Sequence, residues 1–293
     1  MDNIKKSYIL LIIGAILIAF SPVLIKATEV KGTVSVFYRL FFGTLTLLIP
    51  FVLSVTKGKQ KLHPKGILIA FLAGFFLATD MALWATGIML SNAAMPTLVG
   101  NLAPLWVGIG AYFIFKERQP SRFWFGLFVA LTGVTFLIIQ DLLQPVGIYR
   151  GLIYGLFAGM FYASFMLLVQ LGRKHLNTIS FLFISSLSTT IFLGIFMVIQ
   201  GFEFTGYSEK TWILFLIMGI VIQAGAWFLI NFAQGHLPAS LVSPTLLAQP
   251  VLAGVFAYFI IGEELTLWQI VGGMIVISGI YTIHFSKLRK SKS

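Results

Sequence analysis

Nine residues of this chain recur in identical form at one constant offset of 146: Pro104, Gly108, Ala111, Tyr112, Phe113, Ile114, Glu117, Gly126 and Gly133 are matched by Pro250, Gly254, Ala257, Tyr258, Phe259, Ile260, Glu263, Gly272 and Gly279. Chance rarely produces such a run without a gap, so the second half repeats the first. The matched residues lie in long apolar stretches. If each copy holds an odd number of stretches that cross a membrane, the two copies insert upside down relative to each other.

Composition makes membrane insertion the expectation. The 293 residues are 58% hydrophobic and 10% charged, with a mean hydropathy of +0.97, against roughly 25% charged in a soluble domain. Apolar stretches long enough to cross about 30 Å of hydrocarbon as helices recur along the chain. No window shows the alternation of a lipid-facing barrel strand, so the fold class is an all-α integral membrane protein. Tyr8 to Ile25 follows Lys5 and Lys6 as a signal peptide would, but Pro22 and Lys26 stand where a small-residue cleavage site belongs, and a retained first span is expected. Zero cysteines exclude disulfides and thiol chemistry. The net charge of +11 is spread over span ends and forms no basic face for nucleic acid.

Charged residues, glycines and prolines punctuate ten expected spans: 8-26, 34-55, 67-90, 93-115, 122-140, 151-171, 179-200, 211-234, 239-261 and 267-285. Residues 1-140 and 151-293 hold five each, joined by 141-150. With the N-terminus inside, fifteen of the twenty Lys and Arg fall on the inner side, and only Lys26, Lys31, Arg39, Arg150 and Lys210 on the outer. That bias predicts cytoplasmic termini and a cell membrane location. Five spans per copy predict two inverted five-helix repeats, an architecture common among secondary transporters. Asp80 and Trp84 of span 3 match Gln223 and Trp227 of span 8 at an offset of 143.

Phe20-Ser21-Pro22 in span 1, Arg39 early in span 2, prolines within spans 4 and 9 (Pro104, Pro250), an acid closing each (Glu117, Glu263), and glycines in spans 5 and 10 together resemble the EamA-type branch of the drug/metabolite transporter superfamily. The resemblance covers nearly the whole chain and implies a central cavity lined mainly by spans 1, 3, 4, 6, 8 and 9. It also implies alternating access and, in many members, export of amino acids or other metabolites. The second copy has no arginine where Arg39 would repeat.

Polar side chains at mid-span are costly, about 2.5 to 3.5 kcal/mol for an aspartate, so those retained there face a cavity or a partner. Asp80 is the deepest acid, with Trp84 one turn further on the same face. Either Asp80 binds a cationic group or carries a proton, or it forms a structural ion pair with Arg39. Arg39 pairs there or snorkels to the outer headgroups. Gln223, Trp227, Asn231 and Gln234 share a face of span 8 by spacing, which lines the cavity or bonds to neighbouring helices. Asn101 precedes Pro104 by one turn and Gln249 directly precedes Pro250, marking bends near the site, as hinges or static kinks. Thr97 and Ser243 are weaker candidates. Tyr162 stands out in the aromatic span 6 (Tyr154, Phe161, Phe165), where packing accounts for most rings. Gly151, Gly155 and Gly159 read as a close-packing ridge, and Glu117 and Glu263 read as caps, ion-pair partners or gates.

Other classes lack their residues. No Gly-x-x-x-x-Gly-Lys-Ser/Thr loop is present for ATP, only Asp80 is an aspartate at depth, and His63, His175, His236 and His284 lie at or beyond span ends. The expectation is therefore not an enzyme but a secondary transporter, with a site between spans 3, 4, 8 and 9. An uncoupled facilitator, or a sensor or scaffold without flux, is the alternative. The expected partners are a small-molecule substrate, the lipid bilayer and protons, with a homodimer left open. No cofactor, metal or nucleic acid is expected.

Overall fold

A computed structural model describes residues 2–28, 30–58, 61–90, 94–139, 148–262 and 264–290. Glu29, Glu263 and most of the 141-150 connection lie outside the described residues. Among the described residues the chain is helical, without strands. The helices are α1 Asp2–Ala19, α2 Ser21–Ala27, α3 Gly32–Thr56, α4 Pro64–Leu90, α5 Ala94–Gly100, α6 Ala103–Phe115 and α7 Ser121–Leu137 in the first half. The second half holds α8 Ile148–Gly172, α9 Thr178–Ile199, α10 Glu209–Ile217, a π-helical segment Met218–Ala226, α11 Trp227–Gln234, α12 Ala239–Thr245, α13 Ala248–Ile261 and α14 Leu267–Lys290. Counting interrupted helices as one, nine among the described residues are long and apolar enough to cross a membrane, and α7 is a shorter apolar helix.

The sequence is rich in Ile, Val and Phe, weak helix formers in water. In hydrocarbon every backbone N–H and C=O must be satisfied within the segment, which leaves helix as the stable state. The interruptions consequently have local causes. Proline supplies no N–H to the carbonyl four residues back. Phe20 separates α1 from α2 two residues before Pro22, and Asn101 and Leu102 separate α5 from α6 just before Pro104. Leu246 and Leu247 separate α12 from α13 before Pro250. The last two breaks are bridged by three-residue hydrogen bonds, Leu105 N–H to Leu102 O at 2.9 Å and Leu247 N–H to Pro244 O at 3.1 Å. They fall at matching places in the two copies.

So do the ends of the helices that follow. Lys116 closes α6 in the left-handed conformation (φ 58°, ψ 25°), its N–H on Ala111 O. Gly262 closes α13 in the same way (φ 69°, ψ 22°), its N–H on Ala257 O, 146 residues on. Glycine adopts this conformation freely, whereas for lysine it costs roughly 1 to 2 kcal/mol. The repeated backbone therefore persists where the residue has changed.

Helices in a bilayer associate through close packing rather than through exclusion of water. Helices α7 and α14 cross antiparallel through four glycines. A β-carbon on Gly126 would lie 2.8 Å from Gly279 O, and one on Gly133 2.7 Å from Gly272 O. The glycine ridge of α8 packs on α5, with Gly155 2.7 Å from Pro96 O and Gly159 3.1 Å from Gly100 O by the same construction. Helix α9 supplies a buried polar seam: Ser188 Oγ donates to Phe71 O at 2.7 Å and Thr189 Oγ1 to Gly74 O at 3.1 Å. The hydroxyls of Thr44 and Thr190, themselves 146 residues apart, meet at 3.4 Å. This seam joins α3, α4 and α9.

Candidate functional site

A cavity of about 350 Å³ lies where the two broken helices approach each other. Its volume falls within the range of small-molecule sites, roughly 300 to 1,000 Å³. Its wall is drawn from the first-half residues Ser21, Arg39, Asp80, Trp84, Thr97 and Asn101, and from Tyr162, Trp227, Ser243 and Gln249 of the second half. Both prolines, Pro104 and Pro250, line it as well. The cavity thus takes residues from α1 and α2, α4 to α6, α8 and α11 to α13, and adds Arg39 of α3.

Seven of the nine expected site residues meet here: Arg39, Asp80, Trp84, Asn101, Tyr162, Trp227 and Gln249. Arg39 is buried, 6% exposed, and its Nη1 donates to Ser21 Oγ at 2.9 Å while its Nε has no partner. It neither snorkels to a headgroup nor forms an ion pair with Asp80. No hydrogen bond or ion pair to Asp80 is present among the described residues, so both expected structural roles of this pair give way. Tyr162 lines the same wall. Trp84 Nε1 donates to Thr97 Oγ1 at 3.1 Å, which draws α4 to α5. Asn101 Nδ2 donates to Thr97 O at 2.9 Å across the break. Trp227 Nε1 and Ser243 Oγ are buried without partners, a donor and a hydroxyl ready for a ligand.

Gln223 and Asn231 do not reach this wall, and Gln234 stays with them. Gln223 Nε2 donates to Ser186 Oγ at 3.0 Å, packed against Gly43 in the polar seam. Asn231 Nδ2 bonds back to Trp227 O at 2.9 Å, and Gln234 Nε2 reaches Met166 O at 3.5 Å. The four-residue spacing failed as a guide because Gln223 lies in the π-helical segment. A π-helix closes its hydrogen bonds over five residues rather than four, so residues four apart no longer stack, and Gln223 turns away from Trp227. Asn231 and Gln234 follow in regular helix, both buried, and Gln234 reaches α8.

A polar cluster joins three helix ends outside the cavity wall. Glu117, after the cap of α6, accepts from Gln170 Nε2 of α8 at 3.0 Å and from Ser240 Oγ of α12 at 3.1 Å. Gln170 Oε1 in turn accepts the Ala239 N–H at 2.6 Å. Arg173, just beyond the end of α8, donates to Asn231 O and Leu176 O, and burial lowers its guanidinium pKa to about 10. The acid of the repeat therefore ties three helix ends together, making neither the cap nor the ion pair expected for it. Sequence reasoning missed Gln170 and Ser240 altogether, since each reads alone as an ordinary polar residue at a span end. The seam of α9 was legible only as a run of serines and threonines.

The EamA-like transporter family matches residues 5–139 and 149–285, one match in each half. An uncharacterized transporter of Archaeoglobus fulgidus is 27% identical over 272 residues, covering 92% of this chain and 93% of its own. The riboflavin transporter ImpX of Fusobacterium nucleatum is 24% identical, with 98% and 100% covered. A crystal structure with 13% sequence identity superposes with a TM-score of 0.80 over 95% of this chain and 97% of that one, and shares the fold.

Proposed function

Since the chain belongs to the EamA-like transporter family, we propose that it is a secondary exporter of small zwitterionic metabolites such as amino acids. It works by alternating access, and Asp80 couples flux to protons. That it is a membrane transporter and not an enzyme follows from the family and the named relatives. The observation that carries the finer reading is that Arg39 and Asp80 line one cavity without pairing with each other. Unpaired charges at this depth are expensive. A substrate carrying a carboxylate and an ammonium group offsets both at once: the carboxylate meets Arg39, the ammonium meets Asp80. In the empty state, protonation of Asp80 removes its share of the cost, so the proton and the substrate compete for one site. Export is the direction that the family resemblance implies.

We further read the architecture as ten spans in two inverted repeats, 1-140 and 151-293, with both termini cytoplasmic in the cell membrane. The Thr44–Thr190 contact, the exchange of glycines between α7 and α14, and the matched caps at Lys116 and Gly262 support a twofold axis between the halves. Helix α7 joins as the tenth span, since 17 residues is the lower limit for crossing. The charge bias sets the orientation. The halves rock about the breaks at 101-102 and 246-247, and the Glu117 latch closes the cytoplasmic end.

A second reading, a flat aromatic substrate, is favoured by Trp84 and Trp227 on the same wall and by the relative named a riboflavin transporter. Flux through proteoliposomes containing only this protein separates the two, with amino acids, nucleosides, organic cations and riboflavin offered with and without a proton gradient. Saturable amino-acid flux is expected, and Asp80→Asn abolishes its dependence on the gradient. Equal gradient-driven flux in that variant would remove the proton role and leave a facilitator. Binding without any flux would leave a sensor or scaffold.

A further inference from the structure

A second cavity opens on the outer surface of the bundle, between α6 and α7 at the end where residues 116-120 join them. It measures about 410 Å³, and Ile109, Tyr112, Phe113, Arg118, Gln119 and Trp124 line it. The aromatic wall faces lipid: Phe113 is 67% exposed and Tyr112 43% exposed on the bundle surface. Gly108 forms the floor, where a β-carbon would sit 3.0 Å from Trp124 Cη2, so the indole lies directly against the α6 backbone.

The polar end of this groove has two unmet needs. Arg118 is exposed, with no ion-pair partner among the described residues, because the adjacent Glu117 turns inward to Gln170 and Ser240. Lys116 and Arg122, both exposed, add to the positive charge on this rim. Gln119 presents a buried Oε1 that no donor satisfies. A phosphate fits Arg118 but cannot donate to Gln119, whereas a headgroup hydroxyl can. Acyl chains fit the aromatic wall, which descends two turns into the span. Basic pockets between membrane helices bind anionic headgroups on these terms, and tryptophan is enriched at headgroup depth.

We propose that this groove is a binding site for an anionic glycerophospholipid whose headgroup carries a free hydroxyl. The repeat sharpens the assignment. At the offset of 146, Gly108, Tyr112 and Phe113 have identical mates, but Arg118 becomes Glu264, Gln119 becomes Leu265 and Trp124 becomes Ile270. The second copy keeps the apolar wall and reverses the charge, so the site exists once per chain and serves one leaflet. In the proposed orientation that is the cytoplasmic leaflet.

Native mass spectrometry of the full chain in detergent, titrated with phosphatidylglycerol or phosphatidylcholine, tests the site. Phosphatidylglycerol should bind at least about fivefold tighter, on the scale of one arginine at a membrane surface. Arg118→Gln should erase that preference, and Gln119→Leu should reduce it. Arg118 is exposed, so its replacement leaves the fold intact, which circular dichroism verifies. Equal binding of the two lipids, an undiminished preference in Arg118→Gln, or displacement of phosphatidylglycerol by soluble glycerol phosphate at equal concentration would each overturn the proposal.

Discussion

Removing the Glu117 carboxylate should unlatch one end of the central cavity. In Glu117→Ala two hydrogen bonds to a charged acceptor are lost, from Gln170 Nε2 at 3.0 Å and Ser240 Oγ at 3.1 Å. Bonds of this kind contribute about 1.5 to 3 kcal/mol each. Both are only partly buried, and Gln170 keeps its bond to the Ala239 N–H, so the lower figure applies and the pair contributes about 3 kcal/mol. At 1.4 kcal/mol per decade, the equilibrium between closed and open states at this end moves by about 100-fold. The chain has no cysteine, so a single Ser243→Cys on the cavity wall is a clean reporter, being buried and near in size to the native residue. A membrane-impermeant maleimide applied to sealed vesicles from the Glu117 side should label it slowly in the parent and up to about 100-fold faster when Glu117 is alanine. Glu117→Gln, which keeps an acceptor without the charge, should fall between. If the parent already reacts as fast from that side, or if the alanine variant changes nothing, the latch is not what closes the cavity.

Two further substitutions separate the cavity wall from the packing seam. Arg39→Gln should raise the KM for zwitterionic substrates by about tenfold or more, the scale of a lost charged hydrogen bond, and leave a related amine without a carboxylate unaffected; flux measured on both compounds decides this. Gln223→Met should leave KM unchanged and lower the melting temperature in detergent slightly, since interhelical hydrogen bonds in membranes average about 0.6 kcal/mol. A shifted KM there would return Gln223 to the substrate path.

The helical class and the positions of the apolar segments were legible from hydropathy, because a bilayer leaves the backbone few alternatives. Asp80, Trp84 and Asn101 were legible for a related reason: an isolated polar group at depth needs a cavity or a partner. Of the two alternatives for the polar face of span 8, Gln223 and Gln234 take the second and bond to neighbouring helices, and the place of Gln223 was hidden because the periodicity presumed an α-helix. Nothing in Met218–Ala226, with its two glycines and Gln223, announces a π-helix. Interactions between distant segments were also hidden. The Ser21 hydroxyl that accepts from Arg39 and the Gln170 amide that donates to Glu117 are 18 and 53 residues away from their partners, and no local spacing connects them.

The repeat and its exceptions now explain each other. At the offset of 143 the mate of Asp80 is Gln223, and the second copy has no arginine where Arg39 would repeat. Arg39 and Asp80 both face the cavity, whereas Gln223 is held by Ser186. The first copy thus supplies the charges of the site and the second supplies neutral surface, Trp227, Ser243 and Gln249. A cavity on a twofold axis with both charges repeated would offer a zwitterion two equivalent poses and would confine four charges in 350 Å³ of low-dielectric space. For the proposed zwitterionic substrate, a single pair fixes one pose and halves that burden. The π-helical segment removes Gln223 from the wall, so the asymmetry resides in the backbone as well as in the side chains. Restoring Asp at position 223 would therefore place a carboxylate in the packing seam and leave the cavity with one acid.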